Sequence, residues 1–184
     1  ESGFLAGTYD GKSFTESGAN AWNLTDQQKK FLKEDNLRHV LVMGIQSPEV
    51  AARWNNQMQA YIEGLGLGIP GNTSSDPRHS GQLVGSSNPE FNAGGDRISI
   101  WPDGLAMAAT FDPSIVKQFG EVAAKEYRAL GIATALSPQI DLGTEPRWFR
   151  INMTFGESPK LATDMARAYI YGFQTSEGDA EIKD

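Results

Sequence analysis

The sequence predicts an α/β fold with parallel strands, and two observations carry that expectation. Short apolar runs of strand length alternate with longer amphipathic stretches, giving a strand, loop, helix rhythm repeated about four times. Charged and aromatic residues of the irregular segments collect where strands end and helices begin. That edge is the ligand face of both barrels and doubly wound sheets. Four such units in 184 residues make about half of an eight-stranded barrel, which takes roughly 250 residues, or a small open sheet.

The elements follow in order. Residues 1–24 are rich in Gly, Ser, Thr and Asn. Only Gly3 to Ala6 reads as a short buried strand end, and a loop follows it. Thr25 is an N-cap with Gln28 three positions on, a capping box that starts a short helix ending near Glu34. Arg38 to Met43 is a compact apolar run expected to be a strand buried on both faces. Ser47-Pro48 pairs an N-cap with proline at the first helical position. The helix it opens runs to about Glu63, with Val50, Trp54, Met58, Tyr61 and Ile62 on one face. Leu67 to Pro70 is expected to be a strand that opens into a long loop, Gly71 to about Asp96. Arg97 to Trp101 alternates like another strand. Pro102 to Gly104 is a turn, and Leu105 to Thr110 is small and apolar.

Asp112-Pro113 starts a further helix, which reaches Leu130 with a stripe of Ile115, Phe119, Val122, Ala123, Tyr127 and Leu130. Gly131 stops it. Ile132 to Leu136 is the next strand. It delivers an irregular stretch, Ser137 to Pro159, that crowds Asp141, Glu145, Arg147, Trp148, Arg150 and Glu157 together with three prolines. Such a segment is either a surface loop held by its own ion pairs or the wall of a polar ligand site. Ser158-Pro159 caps a last helix with Leu161, Met165, Ala168, Tyr169 and Phe173 inward. The tail from Thr175 is polar and expected to fray.

Composition excludes several function classes. Hydrophobic content of 39% and charged content of 21% are ordinary for a globular domain. A net charge of −7 disfavours nucleic acid and anionic lipid as partners, since both demand a basic face. There are no cysteines, which removes disulfides, thiolate catalysis and cysteine metal sites. Two histidines, His39 and His79, are too few for an all-histidine metal site within one chain. No apolar run approaches the ~18 residues of a membrane span. The chain begins at Glu1 and reads as a processed product or a piece of a longer protein. Neither a G-x-G-x-x-G nor a phosphate loop is present, which weakens a nucleotide-binding reading.

Four blocks stand in an order that resembles the N-terminal barrel domain of family 3 glycoside hydrolases, the β-glucosidase and exo-β-glucanase group. Leu67-Gly68-Ile69-Pro70 followed by Asp76-Pro77-Arg78-His79 is similar to that family's "LGIP … D-x-x-H" segment. Leu105-Ala106 to Asp112-Pro113 is similar to "GLAATFDP". Ala124 to Asp141 is similar to a helix and strand ending in "P-x-x-D". Glu145 to Pro159 resembles "DPRWGR…FGEDP", the most specific block of the four. The likeness covers about residues 38–174 of a partial barrel domain spanning 1–184.

The resemblance implies an α/β fold that is about half of a TIM-type barrel. It implies a parent enzyme that hydrolyses terminal non-reducing β-D-glucosyl residues with retention and without a cofactor, with a β-glucoside or β-glucan oligosaccharide as ligand. It implies a periplasmic or extracellular setting. Asp76 and Arg150 stand at sugar-binding positions, and His79 and Trp148 would shape the pocket. A carboxylate accepts hydroxyl protons while a guanidinium donates in a planar fork, so the chemistry agrees. The family's Lys-His pair, its aspartate nucleophile and its acid/base have no counterpart here. The resemblance therefore places them beyond Asp184, with the remaining C-terminal part as partner and this chain inactive alone. Two other readings stay open: a non-catalytic carbohydrate-binding or assembly half-barrel, and an independent hydrolase pairing Asp76 with Glu145 or Glu157. Phe149 departs from the family's usual Gly, and Ser158 from its Asp.

Overall fold

The computed structural model describes residues 7–77, 79 and 98–174. In chain order the elements are α1 (Phe14–Ser17), α2 (Asp26–Lys33), β1 (His39–Leu41), α3 (Pro48–Glu63), β2 (Asn72–Ser75), α4 (Gly104–Ala108), α5 (Pro113–Leu130), β3 (Thr134–Ala135), a 3-10 turn (Ile151–Met153) and α6 (Pro159–Gln174). The three strands form one parallel sheet in the order β1-β2-β3. His39 pairs with Asn72 and Ser74 with Thr134, so the strand ends lie level. Each crossover between strands carries a helix, as parallel pairing requires.

The predicted caps form. Thr25 Oγ1 accepts the Gln28 backbone N–H at 3.1 Å, and Gln28 Oε1 accepts the Thr25 N–H at 2.9 Å, the reciprocal capping box. Ser47 Oγ accepts the Val50 N–H at 3.1 Å and Asp112 Oδ1 the Ser114 N–H at 2.9 Å, each ahead of a proline at the first turn. The core is helical on one side of the sheet. Met107, Val116, Phe119, Ala123, Phe155, Met165 and Tyr169 bring α4, α5 and α6 together. Leu24, Leu32, Trp54, Met58 and Ile62 join α2 to α3. Val42, Ala51, Tyr127, Leu130 and Ile132 fill the layer beneath β1.

The α5–α6 contact is close because glycine stands on both sides of it. A Cβ added at Gly172 would lie 2.3 Å from the Lys117 carbonyl oxygen, and one at Gly120 would lie 2.8 Å from that of Tyr169. Backbone meets backbone there, which fixes how α6 lies over α5.

Several expectations need correction. The strand expected at 67–70 lies five positions on, at Asn72–Ser75. Gly66 and Gly68 take left-handed φ values of 78° and 65°, which interrupt an extended run, and Leu67 and Ile69 are exposed. The chain therefore leaves the sheet after Ser75. Residues 98–101 are not a strand, and Arg97 lies outside the described residues. Leu105 to Thr110 is mostly helix α4, and α1 interrupts the expected N-terminal loop.

The run Arg38 to Met43, expected to be buried on both faces, is covered on one only: Arg38 and Val42 are each 8% exposed and Val40 is half-buried, while Leu41 and Met43 are 46% and 42% exposed. The buried stripe of α5 is turned by about one residue: Val116 and Ala124 are buried and Ile115 and Val122 half-buried. On α3, Val50 is likewise half-buried. On α6, Leu161, Ala168 and Phe173 are half-buried, and Ala162, Ala166 and Gly172 take the inner positions. The strand end at Gly3 to Ala6, Arg78, Ser80, most of the long loop and the tail from Thr175 lie outside the described residues.

Candidate functional site

A cleft of about 230 Å3 opens at the C-terminal ends of β2 and β3. Its walls come from three stretches distant in sequence. Asp76, Pro77 and His79 leave β2. Pro102, Asp103, Gly104 and Met107 open α4. Leu136 to Gln139 and Asp141 leave β3, and Arg150, Met153 and Phe155 close the circuit. Phe119 and Tyr169 form part of the lining from the helical side. The Ser137–Pro138 peptide within this wall is cis.

Asp76 follows β2 directly and is half-buried at the cleft. Arg150 is exposed and donates from Nη2 to Gln139 Oε1 at 2.9 Å, which ties the two limbs of the 137–158 segment. Arg147 is engaged differently. Its Nε and Nη2 fork onto Glu145 Oε1 and Oε2, both at 2.9 Å, and its backbone N–H reaches Oε1 at 2.8 Å. That fork lowers the Glu145 carboxyl to about 2. Arg147 and Glu145 thus satisfy each other on the surface, outside the cleft lining, while Arg150 stands in it.

His79 lines the cleft, but its side chain is fully buried, with Nε2 2.9 Å from Glu126 Oε2. Phe119 meets the ring edge-on at 5.3 Å and Tyr127 lies tilted at 5.7 Å. Burial holds the imidazole below the ordinary histidine range, and the Glu126 carboxylate and the Pro77 carbonyl pull the other way. A neutral ring donating to a carboxylate carries its proton on Nε2. Trp148 is half-buried and is not part of the cleft wall; its backbone N–H donates to the Glu145 carbonyl at 3.0 Å. Phe149 is 72% exposed and also outside the lining, so its bulk leaves the cleft open.

Sequence reasoning missed three contributors. Asp103 was hidden in a Pro-Asp-Gly turn. Its Oδ2 accepts from Asn152 Nδ2 at 2.9 Å, and its Oδ1 is buried without a hydrogen-bond partner among the described residues. Tyr169 reads as a core position on α6 yet borders the cleft, where burial pushes its phenol far above the usual range. Gln139, the tether of Arg150, carries no motif. The stretch Pro102-Asp103-Gly104 between two resemblance blocks was the available signal for the first.

Chemically, the lining combines carboxylates (Asp76, Asp103, Asp141), one guanidinium (Arg150) and apolar faces (Met107, Phe119, Phe155). Acceptors and a planar donor around an apolar floor suit a neutral, polyhydroxylated ligand. Among the described residues no group of three or more His, Asp or Glu stands close enough to hold a metal ion. No helix described is long and apolar enough to cross a membrane.

Comparison with known proteins agrees with this geometry. The chain is 47% identical over 129 residues to a periplasmic β-glucosidase/β-xylosidase of Dickeya chrysanthemi, a match covering 70% of this chain and 19% of the relative. It is 43% identical over 147 residues to β-glucosidase C of Emericella nidulans, covering 79% of this chain and 22% of the relative. The chain thus spans about a fifth of the length of the curated relatives it matches. Among solved structures, a β-glucosidase involved in saponin metabolism from intestinal bacteria superposes with a TM-score of 0.61 at 29% identity, covering 79% of this chain and 17% of that one. A family 3 β-N-acetylglucosaminidase from Paenibacillus sp. gives a TM-score of 0.69 at 19% identity, covering 85% of this chain and 28% of that one, and shares the fold. The parallel α/β arrangement is accordingly a part of a TIM-type barrel. The model of the glycosyl hydrolase family 3 N-terminal domain matches residues 19–183, nearly the whole chain, and the protein belongs to that family.

Proposed function

We propose that this chain supplies part of the sugar-binding wall of a retaining β-glucosidase-type glycoside hydrolase acting on terminal non-reducing β-D-glucosyl residues. One observation carries the reading: Asp76 and Arg150, which follow two different strands, border the same cleft at the ligand edge of the sheet. Asp76 accepts sugar hydroxyls, and Arg150, steadied by Gln139, donates to sugar oxygens. His79 supports the wall from behind, and Trp148 stiffens the segment that carries Arg150.

A cleft of about 230 Å3 lies below the roughly 300–1,000 Å3 of drug-sized sites, which suits a single sugar unit. The catalytic pair is expected from the remaining part of the same protein, since retention needs two carboxyl groups about 5–5.5 Å apart across the scissile bond. Glu145, held ionised by Arg147, is a poor candidate for the proton donor. That remaining part also covers the open face of the sheet. The site of action is the periplasm or the cell exterior, in keeping with the periplasmic relative.

The test is an assay of chromogenic β-glucoside and β-xyloside, the second because one relative's name pairs the two activities. The chain alone should show no turnover. The chain joined with its C-terminal portion should hydrolyse the glucoside, and Asp76→Ala should lower its kcat/KM at least about tenfold. Turnover by the isolated chain would sink the proposal. Calorimetric binding of glucose to a folded monomer that no C-terminal portion activates would favour a non-catalytic binding module instead.

A further inference from the structure

We propose that Glu126, which is not part of the cleft wall, is a positioning residue for the sugar site. Its carboxylate fastens together the two stretches that bound the cleft on either side of positions 80–97. Glu126 Oε1 accepts the Ser99 backbone N–H at 3.0 Å, and Oε2 accepts the Ser99 hydroxyl at 2.9 Å and His79 Nε2 at 2.9 Å. Two further bonds complete the clasp: the Trp101 indole donates to Ser99 Oγ at 3.1 Å, and the Trp101 backbone N–H donates to the His79 carbonyl at 2.6 Å.

The consequence is geometric. Asp76 and Pro77 lie just before His79, and Pro102 and Asp103 lie just after Trp101. Both pairs border the cleft, and the Glu126 carboxylate sets their separation together with the direct Trp101-to-His79 backbone bond. α5 is a firm base for it, because Phe119 and Tyr127 of the same helix hold the His79 ring from two sides. A displacement on the order of 1 Å at a positioning contact can cost about a hundredfold in rate, so a clasp behind the wall is enough to govern sugar binding. The donors also dictate the protons. The carboxylate oxygens already accept from the Ser99 N–H and hydroxyl, so His79 meets them through Nε2–H, and a neutral ring then carries no proton on Nδ1.

The inference rests on the sugar-site reading, and the experiment separates the two. In the catalytically complete protein, Glu126→Ala and Glu126→Gln are compared with wild type by glucoside kinetics and by the 15N signals of His79, assigned by their absence in His79→Gln. The alanine variant should raise KM about tenfold or more with a smaller change in kcat. The glutamine variant should raise KM less. Its amide N–H faces His79 and rebuilds the clasp only if the ring moves its proton to Nδ1, so the ring-nitrogen signals should exchange.

A folded alanine variant with wild-type KM would overturn the proposal. If that variant fails to fold, a glutamine variant with unchanged KM and unchanged tautomer overturns it equally. Wild-type protein without glucoside turnover would refute the β-glucosidase reading itself, and the His79 signals would still decide whether the clasp exists.

Discussion

The two faces of the sheet are finished to different degrees. Toward the helices, Val116, Ala123, Met165 and Met58 are fully buried, and α5 and α6 touch backbone to backbone at Gly120 and Gly172. On the other face, Leu41, Met43 and Leu136 are 46%, 42% and 50% exposed. The strands carry apolar residues outward with nothing among the described residues laid on them. In a closed barrel such side chains fill the interior in layers shared by alternate strands. The helix layer is therefore self-sufficient and the strand layer is not. Stability should be concentrated in the first, and the second should respond mainly to what is added to the chain.

That contrast is open to direct attack. Met165→Ala empties a fully buried position and should cost about 2–5 kcal/mol, read from urea unfolding midpoints. Gly172→Ala forces a methyl against the Lys117 carbonyl and should cost about 1–3 kcal/mol by the same measure.

The third prediction concerns pH. Burial lowers the His79 pKa against an ordinary value near 6.5, so the unfolded chain takes up a proton more readily than the folded one. Stability from this group is present above the ordinary value and is lost as pH falls through the folded one. Thermal midpoints should decline on acidification below about pH 6.5, and His79→Gln should remove that portion of the slope. Leu41→Ser should have the smallest effect, within about 0.5 kcal/mol. A Leu41→Ser loss as large as that of Met165→Ala would mean that the strand layer carries stability of its own. A loss that grows when the C-terminal portion is joined would mean that this portion packs on Leu41.

The helices were legible because their ends are chemically marked. Thr25 with Gln28, Ser47-Pro48 and Asp112-Pro113 announce starts that the structure realises within a residue or so. β1 and β3 were legible as apolar runs. β2 was not, because Asn72-Thr73-Ser74-Ser75 is polar from end to end, and hydropathy pointed instead to Leu67 and Ile69. In the site, Asp76 and Arg150 were found through the family-like blocks and do border one cleft. Trp148 was not found there, since only the folding back of the 137–158 segment decides which of its neighbouring side chains turns inward. Glu126 left no trace in the sequence. Its role depends on His79 and Ser99 arriving side by side, a long-range event that no local pattern encodes.

The polar central strand has a consequence of its own. Thr73 Oγ1 donates to the Gly131 carbonyl, Ser75 Oγ to the Val42 carbonyl at 2.7 Å, and Thr134 Oγ1 to Asn72 Oδ1 at 2.8 Å. Apolar contacts are non-directional, whereas each of these hydroxyls bonds one particular acceptor. A slip of one residue would turn Thr73 and Ser75 to the opposite face and leave their buried acceptors unmatched. β2 therefore works as an address as well as a support. It indexes β1 and β3 to fixed positions, and with them the points at which the chain departs toward Asp76 on one side and the segment bearing Arg150 on the other.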